Sequence, residues 1–395
     1  MPFSSHKKRF LILTSDSGFG HRSAANSIAR ALAQLNPSLV EVTVVNPIFE
    51  EPTSSLLQQV ELSYDRTVRG YPGWYKFAYE ASDNPSARKL IENTLSKALR
   101  KNIERLISDL NPDAIATTNM MFNAPAGAAM DQLNQAIPLF TVITDLADVH
   151  ALWFNSRPDR FFVGSELVRS KAIVSGIDAS KIVISGIPVN PLFAAPRPSR
   201  ADLRLRLGLD PDLTTLLVVG SQRVNKIFER VKALEEISHP FQLVVIAGGD
   251  KKLYRRLIRR KWKFPIVVKN IVTNMPEWML SADLLISKAG GLIISEGMAA
   301  GLPIILIHHL PGQEEGNVQF VLDHHVGVFA EEPAEFARVV DRWLGDQKGQ
   351  MKAIAENSRR LGHPDSAMIV ASSLWEATAV DIRSSFSSSE SLTLP

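Results

Sequence analysis

The segment 286–317, ISKAGGLIISEGMAAGLPIILIHHLPGQEEGN, gathers the residue types of a nucleotide site. The turn Ala289-Gly290-Gly291 follows an apolar run, and Leu292 leads into a helical stretch that carries Glu296. A strand, a glycine turn and a helix N-terminus make a seat for phosphate, because free backbone N–H groups and the helix dipole both favour an anion. Glu296 lies one turn into that helix, where a carboxylate can accept hydrogen bonds from ribose hydroxyls. A second apolar run leads to a polar loop holding Gln313, Glu314, Glu315 and Asn317, which reaches the same crevice. The set fits a nucleotide carrying a hydroxyl-rich group such as a sugar.

A second group lies near the start of the chain, in Ser15-Asp16-Ser17-Gly18-Phe19-Gly20-His21-Arg22-Ser23. A dinucleotide fingerprint fails here, because Ser23 stands at its third glycine position. Gly18 and Gly20 instead let a second substrate approach the backbone, with His21 at the helix start. A neutral imidazole can take a proton from an attacking hydroxyl; the alternative is a histidine that caps the helix. The segment Thr144-Asp145-Leu146-Ala147-Asp148-Val149-His150 follows another apolar run. Asp145 there either orients His21 or the second substrate, or caps the next helix.

These residues need elements to hold them. Apolar runs at 10–14, 40–45, 114–118, 139–143, 160–163 and 182–184 read as strands, with a helix over 23–35 and mainly helical sequence over 50–110. After Ala194-Ala195-Pro196-Arg197-Pro198 the alternation restarts at 216–219 and continues through 243–247, 266–268, 284–286, 304–307 and 327–329. Alternating strand and helix implies a parallel sheet covered on both faces. The expectation is two doubly wound α/β domains facing a cleft, with ligands beyond the carboxyl ends of the strands. The domains are read as 1–193 and 201–365, joined by a linker at 194–200. A helix at 366–382 returns toward the first domain, and a serine-rich tail over 383–395 is expected to be disordered.

Composition narrows the classes. A chain of 395 residues has room for about two domains. It has no cysteine, so disulfides, thiolate metal sites and cysteine nucleophiles are excluded. The net charge of +3 gives no polyanion-binding signature, and no nucleic-acid partner is expected. No apolar run reaches the roughly 20 residues needed to span a bilayer. No metal is expected either. Asp210-Pro211-Asp212 precedes a strand and reads as a turn, and the members of His308-His309 and His324-His325 point in different directions along an extended chain.

Two segments point to a membrane surface. Residues 251–263, KKLYRRLIRRKWK, hold eight basic residues and no acid, Arg255, Arg256, Arg259 and Arg260 among them. Leu253 and Leu257 share helical spacing with these charges, and Trp262 closes the segment. A basic amphipathic helix with an aromatic end suits an anionic bilayer, whereas packing on the sheet accounts for the leucines alone. Residues 64–80, YDRTVRGYPGWYKFAYE, hold four of the five tyrosines, and the turn at Tyr71 and Trp74 argues against one continuous buried helix and for an acceptor or membrane loop.

The motifs SDSGFGHRSA, TVITDLADVHALWF, SGIPVNPLF, VTNMPEWMLSADLLISKAGG and GLPIILIHHLPGQEEGNV occur in order. Over about residues 10–340 the chain resembles the monogalactosyldiacylglycerol synthase family of glycosyltransferase family 28, itself similar to processive diacylglycerol glucosyltransferases and to the lipid-linked murein glycosyltransferase. The resemblance implies the GT-B fold, two Rossmann-like domains, with UDP-sugar on the C-terminal domain and diacylglycerol on the N-terminal one. It implies a diphosphate at Gly290, Gly291 and Leu292, ribose at Glu296, and the sugar at Gln313 and Glu314 beside Asn317. It implies His21 as base, with Asp145 and His150 on the acceptor side. One departure is Val219-Gly220-Ser221-Gln222-Arg223, which replaces the family's glycine-rich loop; Arg223 would supply charge-assisted bonds instead.

The implied activity is inverting transfer of a hexose, galactose ahead of glucose, from UDP-sugar to diacylglycerol, with no cofactor. The expected setting is cytoplasmic and peripheral to an anionic membrane. The alternatives are a diacylglycerol glucosyltransferase, a UDP-sugar 2-epimerase on the same scaffold, and a non-catalytic UDP-sugar sensor.

Overall fold

The computed structural model describes residues 7–16, 19–50, 58–59, 77, 81–196 and 198–378. Gly18, Tyr71, Trp74, most of the aromatic segment and the serine-rich tail lie outside the described residues. The described chain divides into two compact units. One holds 7–59, 81–191 and 365–378 of these residues, and the other holds Phe77 and 192–364.

The first unit is built on six parallel strands: β1 (Lys8–Leu13), β2 (Val40–Val45), β3 (Ala114–Thr117), β4 (Leu139–Val142), β5 (Arg160–Val163) and β6 (Ile182–Ile184). Their order is β2-β1-β3-β4-β5-β6. Both faces are covered, which is why the inner strands read as near-continuous apolar runs, whereas the edge strand β2, VEVTVV, is interrupted by polar residues. Along β1, Phe10 and Ile12 pack with Ile28 and Leu32 on one face, and Leu11 and Leu13 pack with Leu99, Ile103 and Ile107 on the other. The helix Ser366–Ala377 belongs to this unit, where Val370, Ala371 and Leu374 join the cluster around Phe10.

Strand order fixes where chemistry can sit. The chain leaves β1 toward β2 and then returns to the opposite side at β3, so the order reverses between β1 and β3. A crevice opens beyond the carboxyl ends of the strands at such a reversal. The helix Phe19–Leu35 starts directly after β1 and has His21 in its first turn. It begins four residues before the apolar periodicity that marked it at Ser23.

The second unit repeats the plan with β7 (Thr214–Val219), β8 (Phe241–Ile246), β9 (Ile266–Lys269), β10 (Leu284–Lys288), β11 (Ile304–His308) and β12 (Gly327–Phe329). The order β12-β11-β10-β7-β8-β9 reverses between β7 and β10. The loop 220–226 follows β7, and the helix Gly291–Ala300 follows β10 after a two-residue turn. Gly301 ends that helix in the left-handed conformation, at φ 71°, and its N–H returns to Gly297 and Met298 carbonyls.

One contact shapes the loop after β7. Gly248 sits at φ +62°, and a Cβ there would meet the Gly220 carbonyl oxygen at 2.0 Å. Neither the backbone conformation nor the space admits a side chain. Gly208, at φ +74°, has nothing within 4 Å of its Cβ position. Urea unfolding should therefore rank Gly248→Ala well below Gly208→Ala in stability. The second change costs about 1 kcal/mol of left-handed strain, and the first adds backbone overlap worth about 3 kcal/mol or more. Equal losses would contradict the close approach.

Candidate functional site

At the β1–β3 reversal the first unit assembles a histidine with a defined tautomer. The Nδ1 of His21 lies 2.7 Å from the Thr118 carbonyl oxygen and 2.8 Å from the Thr144 hydroxyl. A carbonyl oxygen can only accept, so Nδ1 carries the proton and the lone pair is left on Nε2. Thr118 is itself pinned, donating its hydroxyl to Thr14 Oγ1 at 2.8 Å. Residues 14, 21, 118 and 144 follow three different strands and meet only because β1, β3 and β4 are neighbours.

Trp153 flanks the imidazole with ring centroids 6.2 Å apart, and its indole N–H donates to Asp145 Oδ2 at 2.6 Å. Asp145 thus holds the tryptophan that packs against His21. A buried polar group fixes the same segment, since Asn123 Nδ2 donates to the Trp153 carbonyl at 3.3 Å and Asn123 Oδ1 accepts from Thr141 Oγ1 at 2.9 Å. Sequence reading missed Thr118, Thr144, Trp153 and Asn123. Among these, Thr144 and Trp153 carried a signal, both standing inside the motif that also holds Asp145.

His150 has the opposite tautomer. Its Nδ1 accepts from the Leu152 backbone N–H at 3.1 Å, and its Nε2 lies 3.0 Å from the Ser82 hydroxyl. It is buried, with 2% of its surface exposed, and caps the short turn at 151–153. Its geometry supports a positioning role rather than direct contact with a substrate. Among the described residues nothing lies within 4 Å of a Cβ built on Gly20. Arg22 clamps the start of the glycine loop, donating to both oxygens of Asp16 at 2.7 and 3.0 Å. That bonding holds the Asp16 carboxyl below the usual carboxylate range, although burial opposes it.

At the β7–β10 reversal the second unit places a glycine turn and a helix N-terminus, a geometry that suits an anion. Gly290 is the N-cap of the helix Gly291–Ala300, and no side chain caps that end. The turn is anchored by the Ala289 N–H to the His308 carbonyl at 2.8 Å and by Asn317 Nδ2 to the Ala289 carbonyl at 2.9 Å. Asn317 Oδ1 and Ser295 Oγ are buried with no bonding partner among the described residues. Glu296 is 8% exposed. Burial alone pushes its carboxyl up from the ordinary 4.5 to about 8. Orphaned buried polar atoms are rare in folded proteins and call for a cause; Ser295 lies on the helix that follows the turn, and Asn317 is bonded to the turn itself.

Glu314 is engaged at both oxygens, by the Lys288 ammonium and by the Leu310 backbone N–H at 3.0 Å. Gln313 is half-buried in the same loop. Arg223 is half-buried after β7, and its N–H donates to Ser221 Oγ at 3.1 Å. His308 is held below its ordinary range, mainly by burial, with Glu331 pulling the other way at 3.6 Å.

The basic helix differs from its sequence reading. Arg256 donates to Glu229 at 3.1 Å and lies over the Phe228 ring at 4.0 Å, and Arg260 donates to Glu235 at 2.6 Å. Trp262 faces inward, with its indole N–H on the Leu257 carbonyl and its ring in the core beside Phe228 and Phe264. The aromatic end and two of the four arginines therefore serve the fold. Lys251, Lys252, Arg255 and Arg259 remain exposed with no ion-pair partner among the described residues. A cavity of about 640 Å³ lies at the amino ends of β4 and β5, lined by Ile137, Leu139, Arg157 and Arg160, at the edge opposite His21.

Two Rossmann-like units, each with a strand-order reversal, are the architecture of the GT-B fold. The fold is shared with MurG of Acinetobacter baumannii (TM-score 0.59, 16% identity, covering 94% of this chain and 99% of that one). It is shared equally with the calicheamicin glycosyltransferase CalG4 (TM-score 0.59, 16% identity, covering 95% and 99%). The family model for monogalactosyldiacylglycerol synthase matches residues 21–189, and that for the glycosyltransferase family 28 C-terminal domain matches 214–337. Monogalactosyldiacylglycerol synthase 2, chloroplastic, of Arabidopsis thaliana is 32% identical over 379 residues, 93% of this chain and 81% of that protein. The chain belongs to the monogalactosyldiacylglycerol synthase family.

Glu296 yields a stability test. Folded protein keeps its proton up to about pH 8, whereas the unfolded chain releases it near 4.5. The unfolded state binds fewer protons across that interval, so this group's contribution to stability is present at low pH and is lost as pH rises through about 8. Urea unfolding without nucleotide, from about pH 5 to about pH 9, should show wild type losing stability relative to Glu296→Gln. Parallel pH dependences would contradict a buried, unpartnered acid.

Proposed function

We propose that this glycosyltransferase moves a hexose, galactose first among the candidates, from UDP-sugar to the free hydroxyl of diacylglycerol with inversion. The carrying observation is His21, whose Nδ1 is committed to the Thr118 carbonyl and whose Nε2 keeps its lone pair. The acceptor oxygen attacks the anomeric carbon as the bond from that carbon to the UDP oxygen breaks. The hydroxyl proton passes to Nε2, and the electron pair of the broken bond goes to the diphosphate. Gly20 leaves room for the acceptor backbone approach, Asp145 positions Trp153 against the base, and His150 supports the same segment.

The donor is assigned to the second unit. Backbone N–H groups at Gly291 and Leu292, with Arg223, would stabilise the departing diphosphate electrostatically. Glu296 would accept from the ribose hydroxyls, which favours its ionised form and draws its proton off on binding. Gln313, with Asn317 behind it, would face the sugar. The family relationship supports galactose and diacylglycerol, which are the chemistry in the relatives' names.

His21→Ala should lower turnover about 10²–10⁴-fold, the usual scale for a general base, with UDP affinity near that of wild type. The measurement is product lipid formed from labelled UDP-galactose or UDP-glucose with diacylglycerol. Full activity in the variant would remove His21 from the mechanism.

Membrane attachment is assigned to the exposed face of the helix Lys251–Ile258 and the residues after it. Among the described residues no helix is long and apolar enough to cross a membrane. Flotation with anionic vesicles should be salt-sensitive, because screening is effective beyond about 8 Å at physiological ionic strength. Replacing Lys251, Lys252, Arg255 and Arg259 by Gln should abolish it, whereas replacing Arg256 and Arg260 should mainly lower stability. Equal flotation of the first variant and wild type would contradict this surface.

A further inference from the structure

Lys288 had no place in the reading of the sequence, where it merely ends an apolar strand. In the structure it stands over the glycine turn. The pairing of β10 with β11 changes register between Ser287 and Lys288, so that Ser287 faces Leu306 and Lys288 faces His308. An irregularity of this kind at a strand end re-aims the side chain that follows it. The re-aimed ammonium nitrogen lies 2.8 Å from the Cβ position of Gly290, and Glu314 Oε1 lies 3.6 Å from the same point. A Cβ at position 290 would require the end of the lysine to shift.

The pair is unusually well held. Glu314 accepts from Lys288 through one oxygen and from the Leu310 N–H through the other, and its own N–H bonds the Leu310 carbonyl at 3.0 Å. Its side chain is 8% exposed and that of Lys288 is 19% exposed. An ammonium has three donors, and among the described residues the Lys288 ammonium bonds Glu314 alone. The remaining donors stand over the turn that opens the helix Gly291–Ala300, whose end has no side-chain cap.

Resting on the donor assignment above, we propose that Lys288 bonds the diphosphate of bound UDP-sugar and neutralises charge on it as UDP departs, with Glu314 as the residue that positions the ammonium. A glycine at 290 then serves two ends, since it admits the phosphate to the backbone and leaves the space that the lysine crosses. The competing explanation is that Lys288 only neutralises a buried carboxylate. The two differ in what they predict for ligands with and without phosphate.

The test compares UDP and uridine binding by NMR titration in wild type, Lys288→Met and the double variant Lys288→Met/Glu314→Gln. The double variant leaves no unpaired buried carboxylate, so it separates folding from binding. The expected result is a loss of UDP affinity of about tenfold or more in both variants, the scale of a lost charge-assisted bond, with uridine affinity within about twofold of wild type. Turnover with UDP-sugar should fall further than UDP affinity, because the charge on the diphosphate grows as the bond breaks. Unchanged UDP affinity, equal losses for UDP and uridine, or recovery of UDP affinity in the double variant would overturn the role of Lys288. Wild-type protein that bound neither ligand would overturn the donor assignment itself, and this proposal with it.

Discussion

The hydrogen bond from His21 Nδ1 to the Thr118 carbonyl is the interaction on which the proposed chemistry depends. It joins the first turn after β1 to the end of β3, the two strands between which the sheet order reverses. A backbone carbonyl cannot change its role from acceptor to donor, so this bond favours a proton on Nδ1. Thr144 adds a second oxygen from the end of β4, and Thr118 is tied to Thr14 at the end of β1. The first unit thereby converts strand order into a protonation state. Trp153 and Asp145 then limit how the ring can lie, and Asn123 carries that constraint into the buried strands.

The second unit handles polarity differently. Its carboxyl edge leaves polar atoms buried and unbonded among the described residues at Ser295 and Asn317, and it keeps a carboxyl at Glu296 that burial holds protonated to about pH 8. Each such group costs on the order of 1–3 kcal/mol when it lacks a partner. The Lys288–Glu314 pair differs from these groups because it is satisfied within the protein, yet it lies across the same turn.

The doubly wound plan was legible because both faces of each sheet are covered, which gives strands such as β8 and β10 the apolar runs 243–246 and 284–286. The helix start at Phe19 was not, since Phe19 and Gly20 carry no helical periodicity. The glycine turn at 289–291 announced itself through residue type. Thr118, Thr144 and Asn123 did not, because their roles arise from strand neighbours far apart in the chain. The ion pairs of Arg256 and Arg260 were not legible for a related reason. Their partners Glu229 and Glu235 lie on an earlier helical segment, and a count of local charges cannot see them. Lys288 was hidden by its position at the end of an apolar strand, where the register change that aims it is visible only in the pairing with β11.

The account turns on which nitrogen of His21 holds the proton, and long-range ¹⁵N–¹H correlation NMR of histidine-labelled protein reads this directly. At a pH about one to two units above the ordinary histidine value, His21 should show a protonated Nδ1 and an unprotonated Nε2 in the acceptor-free protein. A proton on Nε2 would leave no lone pair there for the attacking hydroxyl and would contradict the mechanism.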